Sequence, residues 1–331
     1  MPHSTVGPTR IRALQAAIAP AYALLAGIEL DLFSELGDEA LAGQEIARRL
    51  GVASDRVERL LYALVVAGLL EHRAGHFFNG AEARQFLIRN RPCYVGGDYP
   101  LVAQLWRADL HTAASIREAR PTAFHDFAAG DASGAAEFFR GLVPSARAFG
   151  LAISDLVDWT GVRSVIDIGG GPGSALTGIG ERHPGLRRTL LELPASLELA
   201  KPLLAEAGDH DVVFEAGDIV AAPSSMRHDV ALLKAVIQVL SRTDAELALH
   251  NAYESLESRG LLCVTGAGIL NDDRMSPIDA VYYNLTFMNL YAGGESYTRS
   301  EYSSWLSRVG FVDLTYRALP SGSTLLTGRK P

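Results

Sequence analysis

The clearest chemistry in the sequence lies in one stretch, Val165-Ile166-Asp167-Ile168-Gly169-Gly170-Gly171-Pro172-Gly173-Ser174. A β-branched apolar run breaks there into glycines, and helical spacing follows from Ser174 to Ile179, which predicts a strand, a tight turn and a helix. Glycine in such a turn accepts backbone angles closed to other residues and, without a Cβ, lets a ligand lie on the main chain. Spacing narrows the ligand. A dinucleotide turn needs G-x-G-x-x-G, but the residue required to close it is Ser174 counting from Gly169 and Leu176 counting from Gly171, so that reading fails twice. What remains is G-x-G-x-G, formed by Gly169, Gly171 and Gly173 behind the acidic Asp167. Further polar residues recur in order. Glu192 stands at the end of a second strand, where a carboxylate can accept hydrogen bonds from both hydroxyls of a ribose. Gly217-Asp218-Ile219 follow a third strand, with Asp218 suited to an adenine amino group and Ile219 to the ring. Lys234 closes a fourth strand and suits a ligand carboxylate or a surface pair. Any one of these could be an ordinary loop charge; it is their succession that points to a nucleoside-bearing ligand.

The elements that must position these residues alternate strand and helix from Gly161 onward. Strands are predicted at 164–168, 188–193, 212–216, 230–234, 261–266, 314–318 and 325–328, with helices in the gaps between the earlier ones. That order predicts an α/β domain with a parallel sheet and, because the last two strands have no helix between them, an antiparallel edge. Before it, apolar residues recur at three to four positions from Thr9 to Leu36. A short helix over 42–51 is closed by Gly51, a second over 54–64 is expected to be capped by Ser54, and a hairpin falls over 68–78. Two helices and a hairpin make a winged helix-turn-helix, the form of many DNA regulators. Its recognition helix, however, runs Leu60-Leu61-Tyr62-Ala63-Leu64-Val65-Val66-Ala67 and suits burial against protein, so a dimerisation module is expected at 1–90. Residues 91–158 read as a helical, pocket-forming layer, and 159–331 as the ligand-binding domain. Aromatics at helical spacing usually mean core, yet Trp106, His111, Phe139 and Leu142 in the helical layer are candidates for a substrate pocket.

Totals exclude several classes. Thirty basic against 38 acidic residues give a net charge of −8, which disfavours nucleic acid as a partner. Two cysteines, Cys93 and Cys263, are too few for a disulfide framework, and with no apolar signal core after Met1 the chain is expected in the cytoplasm. No run was expected to span a bilayer without a charge. His125-Asp126 and Asp272-Asp273 lack a third ligand at suitable spacing, so no metal is expected.

Together these residues resemble the family of S-adenosylmethionine-dependent small-molecule O-methyltransferases that includes plant caffeate and bacterial antibiotic-tailoring enzymes. The resemblance runs from the winged-helix front through the Asp167-to-Gly173 motif, Leu191-Glu192-Leu193-Pro194, Gly217-Asp218 and Leu232-Leu233-Lys234. It implies a Rossmann-like class I methyltransferase domain, S-adenosyl-L-methionine as cofactor, a homodimer through the N-terminal domain, and a small-molecule acceptor. It further implies that Gly169, Gly171, Glu192, Asp218, Ile219 and Lys234 line the cofactor. The helix from Asp279 to Tyr291 resembles the family's pocket-lining helix, with Tyr283, Asn284, Phe287 and Met288 as substrate contacts.

One departure bears on mechanism. Typical members continue the fourth strand as Leu-Lys-x-x-Leu-His-Asp-Trp, and that His takes the acceptor's proton. Here the segment is Leu233-Lys234-Ala235-Val236-Ile237-Gln238-Val239-Leu240, and an amide has no protonation change near neutral pH. The acidic partners of that His are also displaced, with Gly266 or Ala267 at one site and Glu295 a loose match at the other. Three readings follow: methyl transfer to an already nucleophilic acceptor held by Gln238; a substitute base, with His111, Glu295, His125 and Tyr283 in falling order; or cofactor binding without methyl donation, as in relatives that became hydroxylases or pericyclases.

Overall fold

The computed structural model describes residues 7–91, 93–123, 132–319 and 322–331. It divides into two compact units, one through Tyr99 and one from Pro100 onward. The helical layer expected as a separate segment is thereby shared out, with most of it belonging to the second unit.

In the first unit α1 (Thr9–Ala16), α2 (Ile18–Glu29) and α3 (Leu32–Leu36) precede β1 (Leu41–Ala42), α4 (Gly43–Leu50), α5 (Ser54–Val66), the hairpin β2 (Leu70–Arg73) and β3 (His76–Asn79), and α6 (Ala81–Phe86). Val57, Leu61 and Leu64 recur at helical spacing on α5 and are buried, while Tyr62 and Val66 on other faces are exposed. β3 pairs with both β1 and β2, so the hairpin gains a third strand that the sequence did not announce. Gly51 closes α4 in the left-handed conformation, as expected. The Ser54 cap is a correction: Ala53 is the N-cap, Ser54 lies inside the helix, and no side chain caps that end. At the N-terminus Thr9–Glu29 is long and apolar enough by length and composition to cross a membrane, though not without charges, as the sequence led one to expect. The charges at Arg10, Arg12 and Glu29 sit at its ends and leave the middle apolar, and Ile11, Leu14, Ile18 and Tyr22 are exposed.

The second unit opens with α7 (Tyr99–Asp109), α8 (Thr112–Glu118) and α9 (Ala132–Leu156). Then come β4 (Ser164–Ile168), α10 (Ser174–Arg182), β5 (Arg187–Glu192), α11 (Pro194–Glu206), β6 (Val212–Ala216), β7 (His228–Lys234), α12 (Arg242–Glu254) and β8 (Leu256–Gly266). The chain closes with β9 (Ile269–Leu270), α13 (Ile278–Leu290), β10 (Tyr297–Thr298), α14 (Arg299–Val309), β11 (Val312–Ala318) and β12 (Thr324–Arg329). The main sheet has the order β11-β12-β8-β7-β4-β5-β6. β8, β7, β4, β5 and β6 are parallel to one another, and β12 is antiparallel to both its neighbours. The antiparallel strand therefore lies one place inside the edge, with β11 outermost.

Both faces of the sheet are covered, which explains why its central strands read as continuous apolar runs. Along β4, β7 and β8 neighbouring residues alternate between two cores: Val165, Leu232 and Cys263 pack on one face, Ile166, Leu233 and Val264 on the other. α9 and α10 pack almost main chain to main chain, because a Cβ on Gly150 would fall 2.1 Å from the Ala175 carbonyl oxygen and one on Gly178 would fall 2.5 Å from that of Arg147. α10 is fixed this closely at the turn from which it springs.

Candidate active site

Main-chain angles select the glycines by function. Gly169, Gly171 and Gly173 have φ of +63°, +56° and +73°, whereas Gly170 is needed for room, since a Cβ there would sit 2.3 Å from an Asp167 carboxylate oxygen. Space around the three differs. A Cβ on Gly169 would meet Val236 at 2.8 Å and one on Gly173 would meet Leu204 at 2.9 Å, but one on Gly171 would meet only Leu142, at 3.7 Å. Gly171 is thus the place where the turn offers bare main chain.

The carboxyl ends of three strands are laced together here. The Gly169 N–H donates to the Leu191 carbonyl at 2.8 Å and the Gly217 N–H to that of Glu192 at 3.0 Å. Glu192 spans the gap: its Oε2 accepts from the Gly171 N–H at 3.0 Å and its Oε1 from the Leu193 N–H at 2.8 Å. Burial raises its pKa, opposed by those two N–H groups. Each carboxylate oxygen keeps lone-pair capacity for a ligand hydroxyl. Asp218, exposed, accepts the Val220 N–H at 2.9 Å through Oδ1. Ile219 is 5% exposed and packs in the core beneath the sheet, which leaves little of it to lie on a ring.

Asp167 is the group that fits a charged ligand. It is 1% exposed, neither carboxylate oxygen has a hydrogen-bond partner among the described residues, and burial lifts its pKa to about 7 against the attraction of Lys234. A buried carboxylate left unpaired is costly and calls for a cationic or hydrogen-bonding group at the turn. Bare main chain, a clasped carboxylate facing a diol, and a buried acid together suit an amino-acid-bearing nucleoside such as S-adenosylmethionine.

Three helices bring the substrate candidates together. A Cβ on Gly141 of α9 would fall 2.9 Å from Leu101 of α7, so those helices are in close contact, and Leu142 next to it lies over Gly171. Thr286 of α13 donates to Asp109 of α7 at 2.8 Å, and Asn289 to Thr112 of α8 at 2.9 Å. The sequence did not expose this latch, whose partners are 177 residues apart in both bonds. Trp106 is half-buried on α7 and Phe139 buried on α9. Tyr283 stacks on Phe287 with ring centroids 5.9 Å apart, and Met288 follows, half-buried.

Past β7 the chain turns through Ala235, at φ +61°, so that Val236 reaches Gly169 and Gln238 follows in a single 3-10 turn. Gln238 is buried, its Oε1 accepts the Gly268 N–H at 3.1 Å, and a Cβ on Gly266 would fall 2.1 Å from that oxygen. Gly266 and Gly268 make the room this carboxamide fills. Asn284 is held likewise, its Oδ1 accepting the Ser296 N–H at 2.8 Å.

The substitute bases fare worse. His111 is exposed at the corner between α7 and α8. The Glu295 carboxylate lies 3.6 Å from Arg274 and 3.8 Å from Arg242, in a surface cluster that also holds Glu301, so it is turned toward cations rather than poised to take a proton. His125 and Asp126 lie outside the described residues. Asp272 accepts from the Ser300 hydroxyl in the first turn of α14, and Asp273 from that of Ser276 in its own loop.

Known proteins share the sequence pattern and the fold of this chain. The sequence pattern of the O-methyltransferase domain matches residues 113–312, and that of the O-methyltransferase dimerisation domain matches 13–89. The chain is 30% identical to the 3-hydroxy-5-methyl-1-naphthoate 3-O-methyltransferase of Streptomyces sahachiroi, over 98% of this chain and 95% of that one. It is 29% identical to the tetracenomycin polyketide synthesis 8-O-methyl transferase TcmO of Streptomyces glaucescens, over 100% and 99%. The human N-acetylserotonin methyltransferase, solved in complex with S-adenosylmethionine, shares the fold with a TM-score of 0.81 at 20% identity over 99% of both chains. With the glycine turn, the Glu192 clasp and both sequence patterns in register along one chain, this protein belongs to the S-adenosylmethionine-dependent O-methyltransferase family.

Proposed function

We propose that this protein methylates an oxygen of a small aromatic specialised metabolite, by proximity and alignment rather than with a histidine general base. When bound, S-adenosylmethionine supplies an electrophilic methyl group on a sulfonium. An acceptor oxygen that is already nucleophilic, such as a phenolate, would take that methyl group while the S–CH3 pair returns to sulfur, so that the protein has no proton to remove. In this reading Gly171 receives the nucleoside against bare main chain, Glu192 holds the ribose, Asp218 the adenine edge, and Asp167 and Lys234 the amino-acid end. Trp106, Phe139, Leu142, Tyr283, Phe287 and Met288 would clamp an aromatic ring, whose stacking excludes water and fixes the attack angle.

The observation that supports the mechanism is at Gln238, the residue at the family's His position by sequence, whose amide oxygen is already engaged by the Gly268 N–H. Methyl transfer from radiolabelled cofactor to phenolic, catecholic and indolic acceptors tests it, with phenols expected to be labelled. Cofactor binding with no label in any of the three would instead support the non-methylating reading.

The exposed apolar residues Ile11, Leu14, Ile18 and Tyr22 near the start of the dimerisation pattern support a homodimer, and a soluble cytoplasmic enzyme, in which a second copy covers them. Sedimentation at twice 35.5 kDa is expected; a 35.5 kDa species at micromolar concentration would contradict it.

A further inference from the structure

Two side-chain amides, Gln238 after β7 and Asn284 on α13, are fixed in the same sense. The Gly268 N–H can be satisfied only by an acceptor, so the Gln238 amide presents Oε1 to it and its NH2 group to the other side. The Ser296 N–H fixes Asn284 by the same argument. The two loops that hold them are joined to each other, since the Glu295 N–H donates to the Gln238 main-chain carbonyl at 3.1 Å and the Tyr297 N–H to the Gly268 carbonyl at 3.0 Å. The two residues are also joined through packing. Phe287, one turn beyond Asn284 on α13, lies 3.1 Å from where a Gly268 Cβ would be. Neither NH2 group has a hydrogen-bond partner among the described residues. The two loops have therefore used the accepting half of each amide and left only the donating half.

We infer that Gln238 and Asn284 are specificity-determining donors that select an acceptor whose oxygen is already ionised, an acidic phenol or enol, rather than a neutral hydroxyl or an amine. The inference rests on the methyltransferase reading and adds the substrate's protonation state to it. A phenolate offers lone pairs to both NH2 groups, and hydrogen bonds to a charged oxygen exceed those to a neutral one. A neutral phenol would bring a proton that neither amide nitrogen can accept. An amine would likewise place N–H against N–H. Selection of the ionised form replaces deprotonation, which explains how the site can dispense with a base.

The fixed orientation supplies a clean test. In Gln238→Glu and Asn284→Asp the oxygen that receives the loop N–H remains, and only the donor is exchanged for a second, negatively charged oxygen. The protein, saturated with S-adenosylhomocysteine, is titrated with 4-nitrophenol and 2-hydroxy-1,4-naphthoquinone, whose ionised forms are coloured. Protein should bind each ionised form about tenfold more tightly than the neutral form, lowering the bound probe's pKa by about one unit. In either variant that preference should vanish or reverse, while affinity for S-adenosylhomocysteine stays within about twofold. A bound pKa unchanged or raised in the natural protein, failure of either probe to bind, or an unaltered preference in both variants would overturn the inference. Should Gln238→Glu not fold, Asn284→Asp alone decides. Failure to bind S-adenosylhomocysteine at all would instead overturn the methyltransferase reading on which the inference rests.

Discussion

The cofactor end and the acceptor end of the second unit are built in different ways. Around Gly171 the chain presents main chain whose angles only glycine adopts readily, and a carboxylate one strand away is tied to it. Around Gln238 it presents side chains whose direction is set by loop N–H groups from residues 30 and 12 positions distant. The first kind of site is a property of local sequence and tolerates almost no change. The second depends on long-range partners and can alter its chemistry while the fold stays as it is.

Glycine substitutions should break the comparison most sharply. Gly171→Ala adds a Cβ that meets only Leu142, at ordinary contact distance, where the cofactor is proposed to lie, so it should weaken S-adenosylmethionine binding about 100-fold while costing the fold about 1–2 kcal/mol for the left-handed angle. Gly173→Ala adds a collision with Leu204 and Leu190, and should destabilise by about 2–4 kcal/mol. Titration calorimetry paired with denaturant melts separates the two; equal loss of binding and equal stability in both would refute the distinction.

Next in size are two opposed pH effects. The Asp167 carboxyl is raised from 3.8 to about 7, so its contribution to stability is complete below pH 3.8 and disappears as pH rises through 7, on the order of 3 kcal/mol. Asp167→Asn should therefore stabilise the ligand-free protein at pH 8 and weaken its grip on the cofactor. His228, at the opposite ends of the strands, is 1% exposed with neither ring nitrogen bonded among the described residues, and burial lowers its pKa from 6.5 to about 4. Its contribution is complete above pH 6.5 and is lost as pH falls through 4, again on the order of 3 kcal/mol. Melting curves of His228→Gln should be flatter between pH 7 and 4 than those of the natural protein; identical acid limbs would remove His228 as their cause.

The smallest effect sharpens the acceptor end. Glu295→Gln should change the methyl-transfer rate less than about twofold, because that carboxylate answers Arg242 and Arg274 at the surface. A loss of about 100-fold, the scale of general-base catalysis, would restore Glu295 as the base.

This contrast also sets what the sequence could disclose. The strand-turn-helix at 164–182, the parallel strands of the sheet and Glu192 at the end of its second parallel strand were legible, because β-branched runs, glycine spacing and an acidic strand end are local signals. The Asp109–Thr286 latch and the Ser296–Asn284 bond were not, since each joins a residue to a partner chosen by tertiary packing. Gly266-Ala267-Gly268 did carry a hint: the two glycines at the end of the fifth parallel strand leave room for a side chain, which turns out to be Gln238. Ile219 is ambiguous because a nonpolar residue after an acidic loop serves core and ligand equally well on paper, and Ala53 rather than Ser54 is the N-cap of α5 because caps shift by a residue without altering the apolar pattern.

The central claim is that bare main chain at Gly171, beside the Glu192 carboxylate, receives the cofactor's nucleoside. Calorimetric titration of S-adenosylmethionine into the natural protein and into Gly171→Ala tests it directly: one site per chain is expected in the first, weakened about 100-fold in the second. No heat at millimolar cofactor in the natural protein, or equal affinity in the two, would contradict the account.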